Sequence, residues 1–248
     1  MIKKIPTICT AIALSATAAY AVQLKLSLNE IAQTADLIFI GTVQSQSSRY
    51  TDARTAIQTD VVFQDIQEVH STDRSRQRGA ATITLSHAGG RVGNITMQAS
   101  DTPTFTTGRR YLVFMNDDGP TYLNPVVGGD QGIFEVVNDP VGGQAYVLTA
   151  DGRAVLQVGD DGNLQTSSGR VQGIQGGVMS MAAENQGPRP QAEQPPQAVT
   201  PGVVAEPATA PASALAAQSP MTVDAFIETV TNVLLTTPIT TPRLKRGR

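Results

Sequence analysis

"DTPTFTTGRRYLVFM", Asp101 to Met115, is the stretch on which the fold turns. Side chains of a strand alternate between its two faces. From Arg109 onward, Arg109, Tyr111, Val113 and Met115 therefore share one face, and Arg110, Leu112 and Phe114 share the other. Both faces become apolar immediately after the arginines. That pattern predicts a central strand covered on both sides, with the two arginines at its wet edge. Pro103 and Phe105 stand in the loop before it, which Gly108 breaks. Two readings of that loop are open. In one, Phe105 closes the end of the core and Pro103 shapes the approach. In the other, residues 101–107 form a surface loop that touches a partner protein.

Working outward, "LIFIGTVQSQ" from Leu37 is apolar on both faces and predicts a second covered strand. In "AIQTDVVFQDIQEV" from Ala56, residues Ile57, Thr59, Val61 and Phe63 keep one face. Ile66 and Val69 then fall out of phase, which predicts a bulge near Gln64. "AATITLSHAGG" and "VGNITMQ" add short strands. "TYLNPVV", "GIFEVV", "QAYVLT" and "AVLQV" follow at regular spacing, parted by Asn, Asp and Gly turn signals. The expected class is mainly β, a small β-barrel or sandwich with accessory hairpins over residues 22–182.

Two helices frame it. "LSLNEIAQTA" from Leu26 carries Ser27 and Glu30 as a capping box, with Leu26 and Ile31 at staple positions, so a short helix over Leu28 to Thr34 is expected. "MTVDAFIETVTNVLL" places Val223, Phe226, Ile227, Val230 and Leu234 on one helical face. An amphipathic helix over residues 221–235 follows, with Thr222 as its cap. Its apolar face docks either on the domain itself or on a partner. Between the domain and this helix, residues 183–220 hold eight of the chain's 15 prolines and no aromatic residue. That composition predicts a disordered, semi-rigid linker.

The first 21 residues have a basic start at Lys3 and Lys4, a short apolar run and the small-x-small step Ala19-Tyr20-Ala21. This is the pattern of a secretory signal peptide cleaved after Ala21. The apolar run is shorter than the roughly 20 residues that span a bilayer. Cleavage would remove Cys9, the only cysteine, so no disulfide supports the exported chain. The expected location is extracytoplasmic, periplasmic or secreted.

Charge narrows the partners. Setting aside Lys3, Lys4 and the four basic residues of the tail "RLKRGR" leaves 12 basic against 21 acidic residues, a net of −9. Such a body repels phosphate backbones, so nucleic acid is excluded as a partner. The tail at residues 236–248 is the one segment suited to an acidic surface or a membrane.

Catalytic and metal chemistry find little support. The only histidines, His70 and His87, are separated by 16 residues and lack the HExxH spacing of a zinc site. "NDDG", "ADGR" and "GDDGN" are fragments of calcium loops without the full pattern, and hairpin turns select the same residues. No G-x-S-x-G, Walker or G-x-G-x-x-G motif occurs. No metal, cofactor or catalytic residue is expected.

The order "LNEIAQTADLIFIGTV", a long strand, then Pro103, Phe105, Gly108, Tyr111, Leu112, Val113 and Phe114, then "GIFEVV" resembles a group of exported bacterial β-rich proteins. Residues 27–137 carry that resemblance, which implies a fold and no activity. More remotely, the "AD" step into the first strand resembles the netrin-like domain of tissue inhibitors of metalloproteinases. That resemblance implies an OB-like barrel and an exported metalloprotease as a candidate partner. Those inhibitors place an N-terminal cysteine on the protease zinc, whereas the exported chain here would begin at Val22, so that mechanism is not implied. The combined expectation is a non-catalytic, exported protein-binding module with Pro103, Phe105, Val223, Phe226, Ile227 and Val230 as contact candidates. A structural envelope component and a hydrolase using His70 or His87 are the alternatives.

Overall fold

The computed structural model describes residues 25–52, 54–99, 102–118, 123–181 and 219–236. The expected signal peptide, nearly all of the linker and all but the first residue of the tail lie outside the described residues.

The elements in chain order are α1 (Leu28–Thr34), β1 (Leu37–Tyr50), β2 (Ile57–Ser71), β3 (Ile83–Ala88), β4 (Gly90–Val92), β5 (Ile95–Met97), β6 (Arg110–Met115), β7 (Ile133–Asn138), β8 (Ala145–Thr149), β9 (Arg153–Val158), β10 (Leu164–Gln175), β11 (Val178–Met181) and α2 (Val223–Thr236). Nine strands form one antiparallel sheet in the order β11-β10-β9-β8-β7-β6-β1-β2-β3. β4 and β5 make a separate hairpin. The fold is thus mainly β, as the strand pattern implies, but the sheet is not closed into a barrel. Among the described residues β3 and β11 are its two edges, and consecutive hairpins extend the sheet outward from the β6–β1 pair.

β1 and β6 lie in the middle and explain the two-faced apolar runs. Ile38, Ile40, Leu112 and Phe114 point to one face, where they meet Phe134, Val136, Val147 and both helices. Leu37, Phe39, Val113 and Met115 point to the other, where they meet Val61, Phe63, Ile83 and Leu85. A third cluster, Tyr146, Leu148, Ala154 and Ile174, continues that second face toward β10. The pairing of β1 with β2 is broken by three register shifts. One skips past Asp65 and Ile66, where Asp65 has φ +54°. This is the bulge that the phase slip near Gln64 requires.

α1 is held by its capping box: the Glu30 amide donates to Ser27 Oγ and the Ser27 amide to Glu30 Oε2. The β4–β5 hairpin lies over the distal end of β1 and β2. Gly90, at φ +125°, makes that approach possible, since a β-carbon there would overlap the hydroxyls of Thr59 and Ser48.

Two sequence expectations change. The described part of "TYLNPVV", residues 123–127, contributes one bridge, Val126 to Met115, before a 3-10 turn at Gly129–Gly132. β10 and β11 are present although the polar, glycine-bearing stretch "LQTSSGRVQGIQ" shows no clear alternation. The C-terminal helix takes the first of its two expected docking places, packing on the same sheet as α1.

Candidate functional site

Phe105 is 6% exposed and belongs to the second-face core. Its ring stands edge-on to Phe63 and to Tyr111, with centroids 5.2 Å apart in both cases, and Phe63 meets Phe39 in the same way. The loop around it is tied down from both sides. Gln46 Nε2 donates to the Phe105 carbonyl at 3.0 Å, and the Thr106 amide donates to the Tyr111 hydroxyl at 3.1 Å. Pro103 is buried beside it. The loop closes the core face of an open sheet rather than the end of a barrel. Neither contact candidate in it presents a free surface. Arg109 reaches Glu135 on β7 at 2.8 Å, and Arg110 turns to the helix face.

The helical contact candidates are also occupied. Val223 is 8% exposed, and Phe226 and Val230 are fully buried, with Phe226 against Phe134 at a centroid distance of 4.9 Å. Ile227 is partly buried against the same core. The helix is anchored by backbone as well. The Val147 amide donates to the Met221 carbonyl, and the Met221 amide donates to the Val155 carbonyl at 2.7 Å. Met221 thus lies between β8 and β9, whose own ladder is reduced to the pair Leu148–Ala154. Of the two docking readings, the described residues place this helix on the chain's own sheet.

The histidines are far apart. On β2, His70 pairs with Ile38, while His87 pairs with Thr59. Eleven positions along the strand separate them, about 35 Å at the usual rise. His87 is buried and its Nδ1 lies 2.9 Å from the Ala88 carbonyl, so that nitrogen is the donor. Burial lowers the His70 pKa below the ordinary imidazole value; Glu68 opposes the shift and Arg78 adds to it. Among the described residues no group of three or more His, Cys, Asp or Glu side chains gathers. No helix among them is long and apolar enough to cross a membrane.

Among the described residues the exposed large apolar side chains are Tyr50, Ile95, Leu123 and Leu235 and, grouped at the β11 end of the sheet, Val141, Val178 and Met181. Val178 is 67% exposed and Met181 40%, on a strand of sequence VMSM with no charge and no proline. Val141, 72% exposed, flanks the Gly176–Gly177 turn that leads into β11. Natural sheets blunt their edges with short strands, lysine, proline or bulges; this strand has neither lysine nor proline, but it is four residues long and its ladder with β10 carries a register shift between Val171 and Gly173. Its mount is firm. Asp139, at the end of β7, is 2% exposed and accepts the amides of Val141, Gly176 and Gly177 at 2.8–3.0 Å. One carboxylate thereby fastens the β7–β8 turn to the β10–β11 turn. Hydrogen bonding, from the Gly142 amide above all and then from Val141, Gly177 and Gly176, holds its pKa at about 2 against the opposing effect of burial. Sequence reading missed this arrangement because Asn138-Asp139-Pro140 looks like any turn.

No family model, no curated protein and no solved structure matches this chain.

Proposed function

We propose that this protein is an exported, non-catalytic binding module that recognises an extended segment of a partner protein by adding it as a strand beside β11. The observation that carries the reading is the apolar, uncharged edge at Val178 and Met181, mounted rigidly by Asp139. Strand addition supplies main-chain hydrogen bonds for affinity and alternate side chains for selectivity. The buried positions of Phe105 and of the α2 face support assigning the contact to this edge instead of to them. The exported location rests on the signal pattern of residues 1–21.

An exported metalloprotease is the first partner class to assay, on the strength of the netrin-like resemblance. Contact with such a protease would lie on its surface, because the chain beginning at Val22 offers no cysteine to a zinc ion. The test is affinity capture from the extracytoplasmic fraction with the C-terminally tagged chain beginning at Val22, alongside its Val178→Lys and Ser180→Pro variants. A stoichiometric partner retained by the natural chain and lost by both folded variants is expected. Equal retention by all three would sink the assignment to β11.

A further inference from the structure

We propose that the cleft between the sheet and the first turn of α2 is a binding site for a small carboxylate, with Arg110 as its anchor. The inference is independent of the β11 reading, since the cleft lies on the helix face of the sheet.

The cleft has a volume of about 310 Å³. Ligand sites run from about 300 to 1,000 Å³, so it suits a compact molecule. Its floor is the row Ile40, Arg110 and Val136 on neighbouring strands, and Thr222 to Asp224 at the start of α2 form one wall. Three residues with side-chain amides, Gln67, Asn138 and Gln144, share the rest of the lining with Gly143 and Ala145.

Arg110 is the unusual member. Its Nε is buried and donates to nothing among the described residues. Among the described residues its guanidinium makes one bond, a long one from Nη2 to Gln67 Oε1 at 3.5 Å. The neighbouring Arg109 is neutralised by Glu135, but Arg110 makes no ion pair among the described residues. A buried donor left without an acceptor is costly, and a guanidinium more so. A carboxylate entering the cleft would accept from Nε and from one Nη in the fork geometry that arginine offers.

The lining also selects the kind of anion. Asp224 stands at the same wall as the α2 N-terminus. It disfavours a dianion such as phosphate and would attract a positive group on the far side of the ligand. The amides suit hydrogen-bonding groups rather than a hydrocarbon chain. The fitting chemistry is therefore a single carboxylate next to an amine or amide, which occurs in a free amino acid and at the C-terminus of a peptide.

The experiment follows the Arg110 Nε–H resonance and measures affinity by calorimetry, using the chain that begins at Val22. The probes are glycine, N-acetylglycine, N-acetyl-Gly-Gly-Gly and the amide of that last peptide. Binding of an acid probe with a shifted Nε–H signal, and about tenfold or weaker affinity for the amide, is expected from the loss of a charge-assisted bond. Preference for glycine identifies a free amino acid as the ligand. Preference for the longer acid identifies a peptide terminus. Arg110→Gln should abolish binding, and Arg110→Lys, which keeps the charge but lacks Nε, should weaken it. Absence of any shift with all four probes, equal affinity for acid and amide, or unchanged affinity in a folded Arg110→Lys variant would overturn the assignment.

Discussion

The amide of Val147 donates to the carbonyl of Met221 at 3.2 Å, across 74 positions of sequence. With the return bond from the Met221 amide to Val155, one residue of the C-terminal segment sits as a short rung inside the β8–β9 gap. α2 therefore begins from a fixed point on the sheet. Met221, partly buried, and the buried Phe226 and Val230 pack in the same cluster as Leu28, Ile31 and Phe134. Helical stability in so short an element comes mainly from such packing.

Phe226→Ala should accordingly destabilise the whole domain, by about 3–5 kcal/mol for a buried phenylalanine. Leu235, at 79% exposure in the last turn of the same helix, has no such role. Leu235→Ala should stay within about 0.5 kcal/mol, as exposed sites do. Urea unfolding of the two variants checks both. A small effect at Phe226 would mean that α2 is not part of the cooperative core.

Phe105→Ala should act on stability in the same way. The ring is 6% exposed and has two edge-on aromatic neighbours. Its loss is expected to cost about 3–5 kcal/mol, and Phe105→Leu less, because volume is largely kept and only the ring-edge contacts go. A surface-contact role would show the reverse, with partner binding reduced at unchanged melting temperature. Thermal unfolding and partner capture on the same two variants separate the cases.

Local chemistry accounts for what sequence reading captured. The Ser27–Glu30 box closes within four residues, and the helix it caps runs over Leu28–Thr34 as expected. The phase slip after Phe63 is likewise local, and it marks the Asp65 bulge. Whether β3 and β11 meet is not local, and the alternation within each strand is the same in an open sheet and a closed barrel. β10 escaped notice because its buried positions, Ser167 and Ile174, are seven residues apart in an otherwise polar run. The Arg110 cleft is hidden for a similar reason. A pair of arginines at a strand start reads as a wet edge, and only the arrival of Thr222 and Val223 above the sheet turns one of them into a lining residue.

Asp139 makes a pH dependence predictable. Its carboxyl is held at about 2 in the folded chain, whereas an unfolded aspartate titrates near about 3.9. The folded state therefore binds fewer protons than the unfolded state in that window, and stability rises with pH there. The contribution is fully present above about pH 4 and is lost as pH falls toward about 2. Asp139→Asn would turn one acceptor into an NH2 group facing backbone donors. That variant should be less stable than the natural chain at pH 6, with the gap narrowing as both are acidified. Denaturation midpoints across that pH range test the sign. A gap that widens on acidification would show that the carboxylate is not what the amides of Gly142, Val141, Gly176 and Gly177 stabilise.

The same carboxylate links stability to the proposed edge. If Asp139 fixes the β10–β11 turn, then Asp139→Asn should speed hydrogen exchange at Gly176 and Gly177 and weaken partner capture at pH 6, while leaving the amides of β1 and β6 protected. Val178→Lys should weaken capture without that loosening, since Val178 is 67% exposed and its replacement disturbs no buried group. Its effect on stability should lie within about 0.5 kcal/mol. Exchange rates and capture measured together on the two variants distinguish a lost mount from a blocked edge. If Val178→Lys binds the partner as the natural chain does, while Phe105→Leu or a substitution near the Arg110 cleft does not, the contact belongs to another face of the sheet.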